Sequence, residues 1–349
     1  MLPAFRSNTS IICFCLLLIG ILASPVLLSW AGLPSREQTY KGITDEAGRV
    51  GVQTRQIFYD SGDSDVVLLG SSLVWKGINP EVLQEKLSAH LGRPAHITVL
   101  AMNWQGIDLQ YFLLRDYLTR HKTSLVVWNL PAPGSRMFEP HIEANYWVRY
   151  GEYSDALRGL PLRMRLALYA DMVLGVPRQL VAKLRPNQLS PQEFASDSWN
   201  NRLGYYGAPY VEDHLPSQTI PTKDVVVSSA EGPEIHISGP ALDPYELHFA
   251  KKIVELLKEH HTDVVFLHVP IDLERNMKKM PELEDWSSVL GVDAPMLGIS
   301  SAELFQGVSD KRFYHFYIDQ HFNENGRELY TESIAPGLLK AYDQSRGSH

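Results

Sequence analysis

The sequence predicts an α/β protein, a three-layer α/β/α sandwich built on a mainly parallel sheet. Two observations carry that expectation. Short apolar runs at 66–69, 96–102 and 124–130 alternate with amphipathic helical segments, of the length that right-handed crossovers between parallel strands require. The alternation resumes after a long irregular interval, with a helix over 244–260 and a strand over 263–269 closed by Pro270.

Ahead of that pattern, residues 11–30 form an almost uninterrupted apolar run, long enough to cross a bilayer as a helix. Residues 1–31 therefore read as a membrane anchor or signal segment. Arg6 precedes the run and Arg36 and Lys41 follow it, so the charge bias is slight. A single amino-terminal span before a large folded region most often leaves that region outside the cytoplasm. A cleaved signal peptide is the competing reading, with Ser29 and Ala31 as small residues near a cleavage point. The run exceeds an ordinary signal core, which favours an uncleaved anchor. Both cysteines of the chain, Cys13 and Cys15, lie inside it, so no cysteine nucleophile or cysteine zinc site is expected in the exported part. Residues 32–63 are mixed and polar without a clear period and read as a stalk.

The domain occupies 64–349. After the first strand comes a helix over 80–91, signalled by Asn79 as N-cap, Pro80 at the first helical position and Glu81 in the first turn. Leu83, Leu87 and Leu91 form its stripe, and Gly92 stands at its C-cap. The second strand leads to a helix over 108–121 with Leu109, Phe112, Leu113 and Tyr117 inward. The third ends in Pro131-Ala132-Pro133-Gly134. Between about 134 and 240 the pattern loosens into an insertion, with a helical piece over 160–184 and loops rich in Asn, Tyr, Gly and Pro over 199–210. An insertion of this size often forms a lid or the wall of a substrate cleft. Beyond the fourth strand lie a helical stretch over 277–290, an apolar piece over 296–299, a loop over 319–326 and a last helix over 327–342.

With 349 residues and 44% hydrophobic content the chain can hold one large domain with an insertion. Its net charge of −8, without a long basic run, argues against nucleic acid as a partner. No nucleotide fingerprint occurs and no cofactor is expected. No metal site is expected either: His260-His261 ends a helix, and His236 and His248 lack a convincing third ligand.

Two stretches can carry chemistry. Gly70-Ser71-Ser72-Leu73 places hydroxyls at the end of the first strand, where open α/β sheets hold their ligands. Asp319-Gln320-His321, just before the last helix, supplies an imidazole and a carboxylate, the remaining equipment for activating a serine. Each also has a plainer reading: Gly-Ser-Ser suits any tight turn, and Asp319 with its neighbours suits a helix start.

Together these blocks resemble the SGNH (GDSL-type) hydrolase superfamily, in its amino-terminally anchored bacterial branch. The family's Gly-Asp-Ser-Leu block stands here as Gly70-Ser71-Ser72-Leu73, which makes Ser72 the nucleophile. A similar Gly-Ser-Ser occurs in proteins resembling the D-alanyl transfer protein of teichoic acid synthesis. The oxyanion block stands as Asn103-Trp104-Gln105-Gly106, with Asn103 where the family has glycine. The Gly-x-Asn-Asp block is absent, leaving Asn129 as a substitute for its asparagine. Asp319-Gln320-His321 is one residue shorter than the usual Asp-x-x-His and resembles the alginate O-acetyltransferase type.

The resemblance implies a catalytic Ser72, Asp319 and His321, and an oxyanion hole from the amides of Ser72 with Asn103 or Gly106. It implies acyl transfer, acetyl above all, to or from a cell-surface polysaccharide, on the extracytoplasmic side of a bacterial membrane. An esterase that only hydrolyses is the first alternative, and a catalytically weak scaffold serving a polytopic membrane acyltransferase the second. Trp75, Trp104 and Trp128 fall near strand ends, where they stack on sugar rings or pack in the core.

Overall fold

A computed structural model describes residues 7–32, 35–40, 50–101, 106–129, 161–163, 165–167, 169–170, 172–174, 244–275, 286–318 and 320–347. The chain divides into two compact units, 1–43 with 139–188, and 44–138 with 189–349.

The first unit holds α1 (Asn8–Trp30) and the short α2 (Arg36–Tyr40). Among the described residues α1 is the one helix long and apolar enough to cross a membrane. Ser7 caps it by accepting from the Ser10 amide at 3.1 Å. Pro25, inside the helix, has no N–H to offer the Ile21 carbonyl, and Ser24 Oγ donates to that carbonyl instead at 2.6 Å. This repair keeps the backbone internally satisfied, as a lipid environment demands. Residues of the insertion between 162 and 174 are helical where described; apart from Pro161 the remainder of 134–240, including the loops over 199–210, lies outside the described residues.

In chain order the second unit holds α3 (Val50–Phe58), β1 (Ser64–Gly70), α4 (Ser72–Gly77), α5 (Pro80–Leu91), β2 (Ile97–Ala101), α6 (Ile107–Leu118) and β3 (Thr123–Asn129). It continues through α7 (Pro244–Glu259), β4 (Asp263–Leu267), α8 (Trp286–Leu290), β5 (Met296–Leu297), α9 (Ser301–Leu304), α10 (Asp310–Phe313), β6 (Tyr317–Ile318), β7 (His321–Phe322) and α11 (Glu324–Gly347). β1 to β5 form a parallel sheet in the order β2-β1-β3-β4-β5. β1 is an interior strand between β2 and β3, and its run is apolar on both faces, the mark of a strand covered on both sides. Val66 and Leu68 enter a core with Leu83 and Leu87 of α5 and Ile334 and Leu338 of α11, while Val67 and Leu69, of opposite parity, are fully buried as well. α5 packs on α11, and α6 on α7, where Phe112 and Phe249 meet edge to face at 5.6 Å.

Local signals place several boundaries. Asn79 Oδ1 accepts from the Glu81 amide at 3.1 Å, and Gly92 ends α5 in the left-handed region with φ 63°. At the end of α7 the left-handed position falls to His261, with φ 52°, and the Thr262 amide reaches back to the Leu257 carbonyl at 2.9 Å. His261 therefore serves here as a cap through its backbone.

Two elements depart from the sequence reading. Residues 50–58, assigned to a stalk, form α3, and its Gln53 Nε2 donates to the Ala101 carbonyl at 2.9 Å while His121 Nε2 meets the Ile57 carbonyl at 3.0 Å. α3 buries Gln53, Thr54 and Gln56 as well as Val52 and Ile57, so no apolar stripe marks it. The second is α4, which begins at Ser72, ahead of the first helix signal at Asn79. At six residues it is too short to show a period.

Asp65 ties the start of β1 to its surroundings. Its carboxylate takes Arg93, the His96 amide at 2.9 Å and the Tyr342 hydroxyl at 2.7 Å. Burial works to raise this carboxyl, but the Arg93, His96 and Tyr342 bonds outweigh it and hold the group below the ordinary aspartate range. Because the folded value is the lower one, the stabilisation is complete above the ordinary aspartate pKa of about 4 and is lost as pH falls through the folded value. Asp65→Asn is expected to cost about 2 kcal/mol at pH 7. Denaturant titrations of wild type and variant should converge as pH falls below about 4; a gap that persists unchanged in acid would refute the charge as its source.

Candidate active site

β1 delivers Ser72. Gly70 closes the strand beside Ala101 of β2, and Ser71 then caps α4: its carbonyl accepts from Val74 and Trp75 at 3.1 and 3.2 Å, and its hydroxyl lies 3.4 Å from the Leu73 amide. Gly70 is required by crowding. A Cβ there would stand 2.4 Å from Val74 Cγ2 and 2.9 Å from Asn129 Cβ. The bare Cα lets the first turn of α4 fold back against β3, with Ser72 leading it.

The opposite wall is the β6–β7 hairpin, in which Tyr317 pairs with Phe322 and Ile318 with His321. Gln320, in the connection, holds φ 67°. The Phe322 ring is flanked by Tyr317 at 4.7 Å and Tyr330 at 5.4 Å. The Tyr330 hydroxyl donates to the His268 carbonyl, which anchors α11 and the hairpin to the end of β4. Burial holds both phenols well above their ordinary pKa, so they are neutral donors. Asn323, next in the chain, takes the helix-start role: its Oδ1 accepts from the Gly326 amide at 3.0 Å and its Nδ2 donates to the His315 carbonyl at 2.6 Å.

His321 turns elsewhere. Its Nε2 lies 2.8 Å from Ser72 Oγ, across 249 residues of sequence. Both residues are half-buried, so the pair is reachable from outside. A neutral imidazole with its Nε2 lone pair on the hydroxyl is the arrangement that removes a serine proton during attack.

The other sequence candidates fall differently. Asp319, Asn103 and Trp104 lie outside the described residues. Gly106 is the N-cap of α6, on the chain leaving β2, whose last residue pairs with Gly70. Of the two readings given for Trp75, the structure takes core packing and not a sugar-stacking surface, and Asn129, the stand-in for the family's asparagine, is turned inward. Trp75 is 3% exposed and belongs to the core, and Asn129 is 4% exposed with its Nδ2 donating to the Leu267 carbonyl at 3.1 Å. Trp128 is wholly buried, its Nε1 donating to Gln110 Oε1 at 2.7 Å. The sequence reading missed His268, just past β4, whose Nε2 meets Glu274 Oε2 at 2.9 Å, both side chains being 7% exposed. Its position after an apolar strand was the available signal. Among the described residues no group of three or more His, Cys, Asp and Glu side chains comes together.

A scan against family models matches none, and a search of curated proteins finds no match either. The described structure defines an α/β protein with a serine–histidine pair beside the end of β1, an interior strand of its parallel sheet.

Proposed function

We propose that this chain is a membrane-anchored, extracytoplasmic serine acyltransferase or esterase of SGNH type, moving acyl groups, acetyl foremost, to or from a cell-surface polysaccharide. The observation that carries the reading is the 2.8 Å contact between Ser72 Oγ and His321 Nε2. Support comes from the paired helices α5/α11 and α6/α7 about a five-stranded sheet, which suit the three layers of that superfamily, and from the apolar α1.

In the proposed cycle His321 takes the Ser72 proton as Oγ attacks an acyl carbonyl, and a tetrahedral oxyanion forms. The Ser72 amide, with that of Asn103 or Gly106, stabilises the oxyanion, and Asp319 holds the imidazole tautomer. The imidazolium returns its proton to the leaving oxygen, the C–O bond breaks, and the acyl group remains on Ser72. Water or a sugar hydroxyl, deprotonated by His321, then takes the acyl group and restores the serine.

The test is intact-mass analysis of the chain exposed to an activated acetyl ester. An acetyl adduct mapping to Ser72, and missing in Ser72→Ala, is the expected result. Faster release of that adduct with an oligosaccharide acceptor than with water alone assigns transfer, and equal release assigns hydrolysis. A folded wild-type chain that never acquires the adduct would sink the reading.

A further inference from the structure

We infer that the described residues between 161 and 174 of the insertion are embedded in the lipid bilayer against α1, so that the chain meets the membrane at a second place besides α1. The anchor point is the Tyr169 hydroxyl, which donates to the Leu22 carbonyl of α1. α1 has 23 residues, about 34 Å at the helical rise, against a hydrocarbon core of about 30 Å. Leu22 lies eight residues before Trp30, about 12 Å in from that end of the helix. With α1 spanning the bilayer, Tyr169 is therefore about 10 Å deep in hydrocarbon. A phenol there needs a protein acceptor, and it has one.

The exposed leucines among the described residues of the segment fit the same solvent. Leu162, Leu166 and Leu174 are 64%, 61% and 57% exposed, a row continuous in kind with the exposed Leu22 and Leu27 of α1. Such leucines left in water forgo the stabilisation of burial, whereas acyl chains cover them without that loss. Arg163 and Arg165 precede Tyr169 by six and four residues, about 9 and 6 Å along a helix, so their long stems can carry the charges outward to the headgroups. The occupant of this face is lipid; a lid over a water-filled cleft would leave the three leucines wet.

The test uses the unmodified full chain in liposomes, photolysed with a diazirine that partitions into the hydrocarbon, followed by peptide mapping. Carbene adducts in both α1 and 161–174 are expected; adducts in α1 alone, or in neither, overturn the inference. Nitroxide labels provide a second readout, in a background with Cys13 and Cys15 replaced by serine. At Leu166→Cys and Leu174→Cys the accessibility to oxygen should exceed that to a water-soluble nickel chelate, as at Leu17→Cys in α1 and opposite to Tyr59→Cys. Values at 166 and 174 that match position 59 refute it.

Discussion

Ser72→Ala is expected to abolish covalent labelling of the chain by a fluorophosphonate, and His321→Ala to slow it by about 10²–10⁴-fold, the usual contribution of a positioned general base. In barrier terms that is about 3–5 kcal/mol. The two variants fail for different reasons. Without Oγ no atom remains to attack phosphorus, whereas without the imidazole the hydroxyl keeps its proton and reacts only through its small ionised fraction. Ser71→Ala separates the neighbouring hydroxyl: it weakens the cap of α4, whose hydroxyl bond is a long 3.4 Å, and should leave labelling within a few-fold of wild type. Mass spectrometry of the adduct decides. An adduct on Ser71, or wild-type rates in His321→Ala, would dissolve the proposed roles.

Gly70→Ala is expected to be a damaging conservative change on the wall of the site that carries Ser72. Its methyl would stand 2.4 Å from Val74 Cγ2 and 2.9 Å from Asn129 Cβ. Neither neighbour can yield cheaply: Val74 is buried and stiff at χ1, and Asn129 is tied to the Leu267 carbonyl. Overpacking of this kind costs about 1–3 kcal/mol. The displaced element is α4, and a shift of about 1 Å between Ser72 and His321 suffices to lose about 100-fold in rate. Gly326→Ala presses on the other wall, with its methyl 2.4 Å from the Phe316 carbonyl and 2.6 Å from Phe322 Cδ1, beside His321. Gly62→Ala, with nothing within 4 Å, is the control and should change neither stability nor labelling. Thermal unfolding and labelling rates measured on all three variants test the account; a Gly70→Ala chain as stable and as reactive as Gly62→Ala would contradict it.

Much of the fold is legible because its signals are local. The apolar run of β1, the Asn79-Pro80-Glu81 start and Gly92 stop of α5, and the apolar α1 each follow from chemistry within a few residues. α3 escapes that logic, since it buries polar side chains, and the amide of Gln53 finds its acceptor in the Ala101 carbonyl, remote in sequence. Trp75 and Asn129 are ambiguous for the converse reason: their types suit ligand contact and core alike, and only packing shows them inside.

The sequence by itself determined that a serine follows the first strand and an imidazole precedes the last helix. It left open whether the two meet, because the free energy that joins them is spread over distant packing: β1 held between β2 and β3, the Phe322 sandwich and the Tyr330 bond to the chain just past β4. Gly70 shows the division most plainly. Its presence at a turn is readable locally, but the reason for it, a side chain of α4 and another of β3 sharing the space of one methyl, exists only once the sheet has formed.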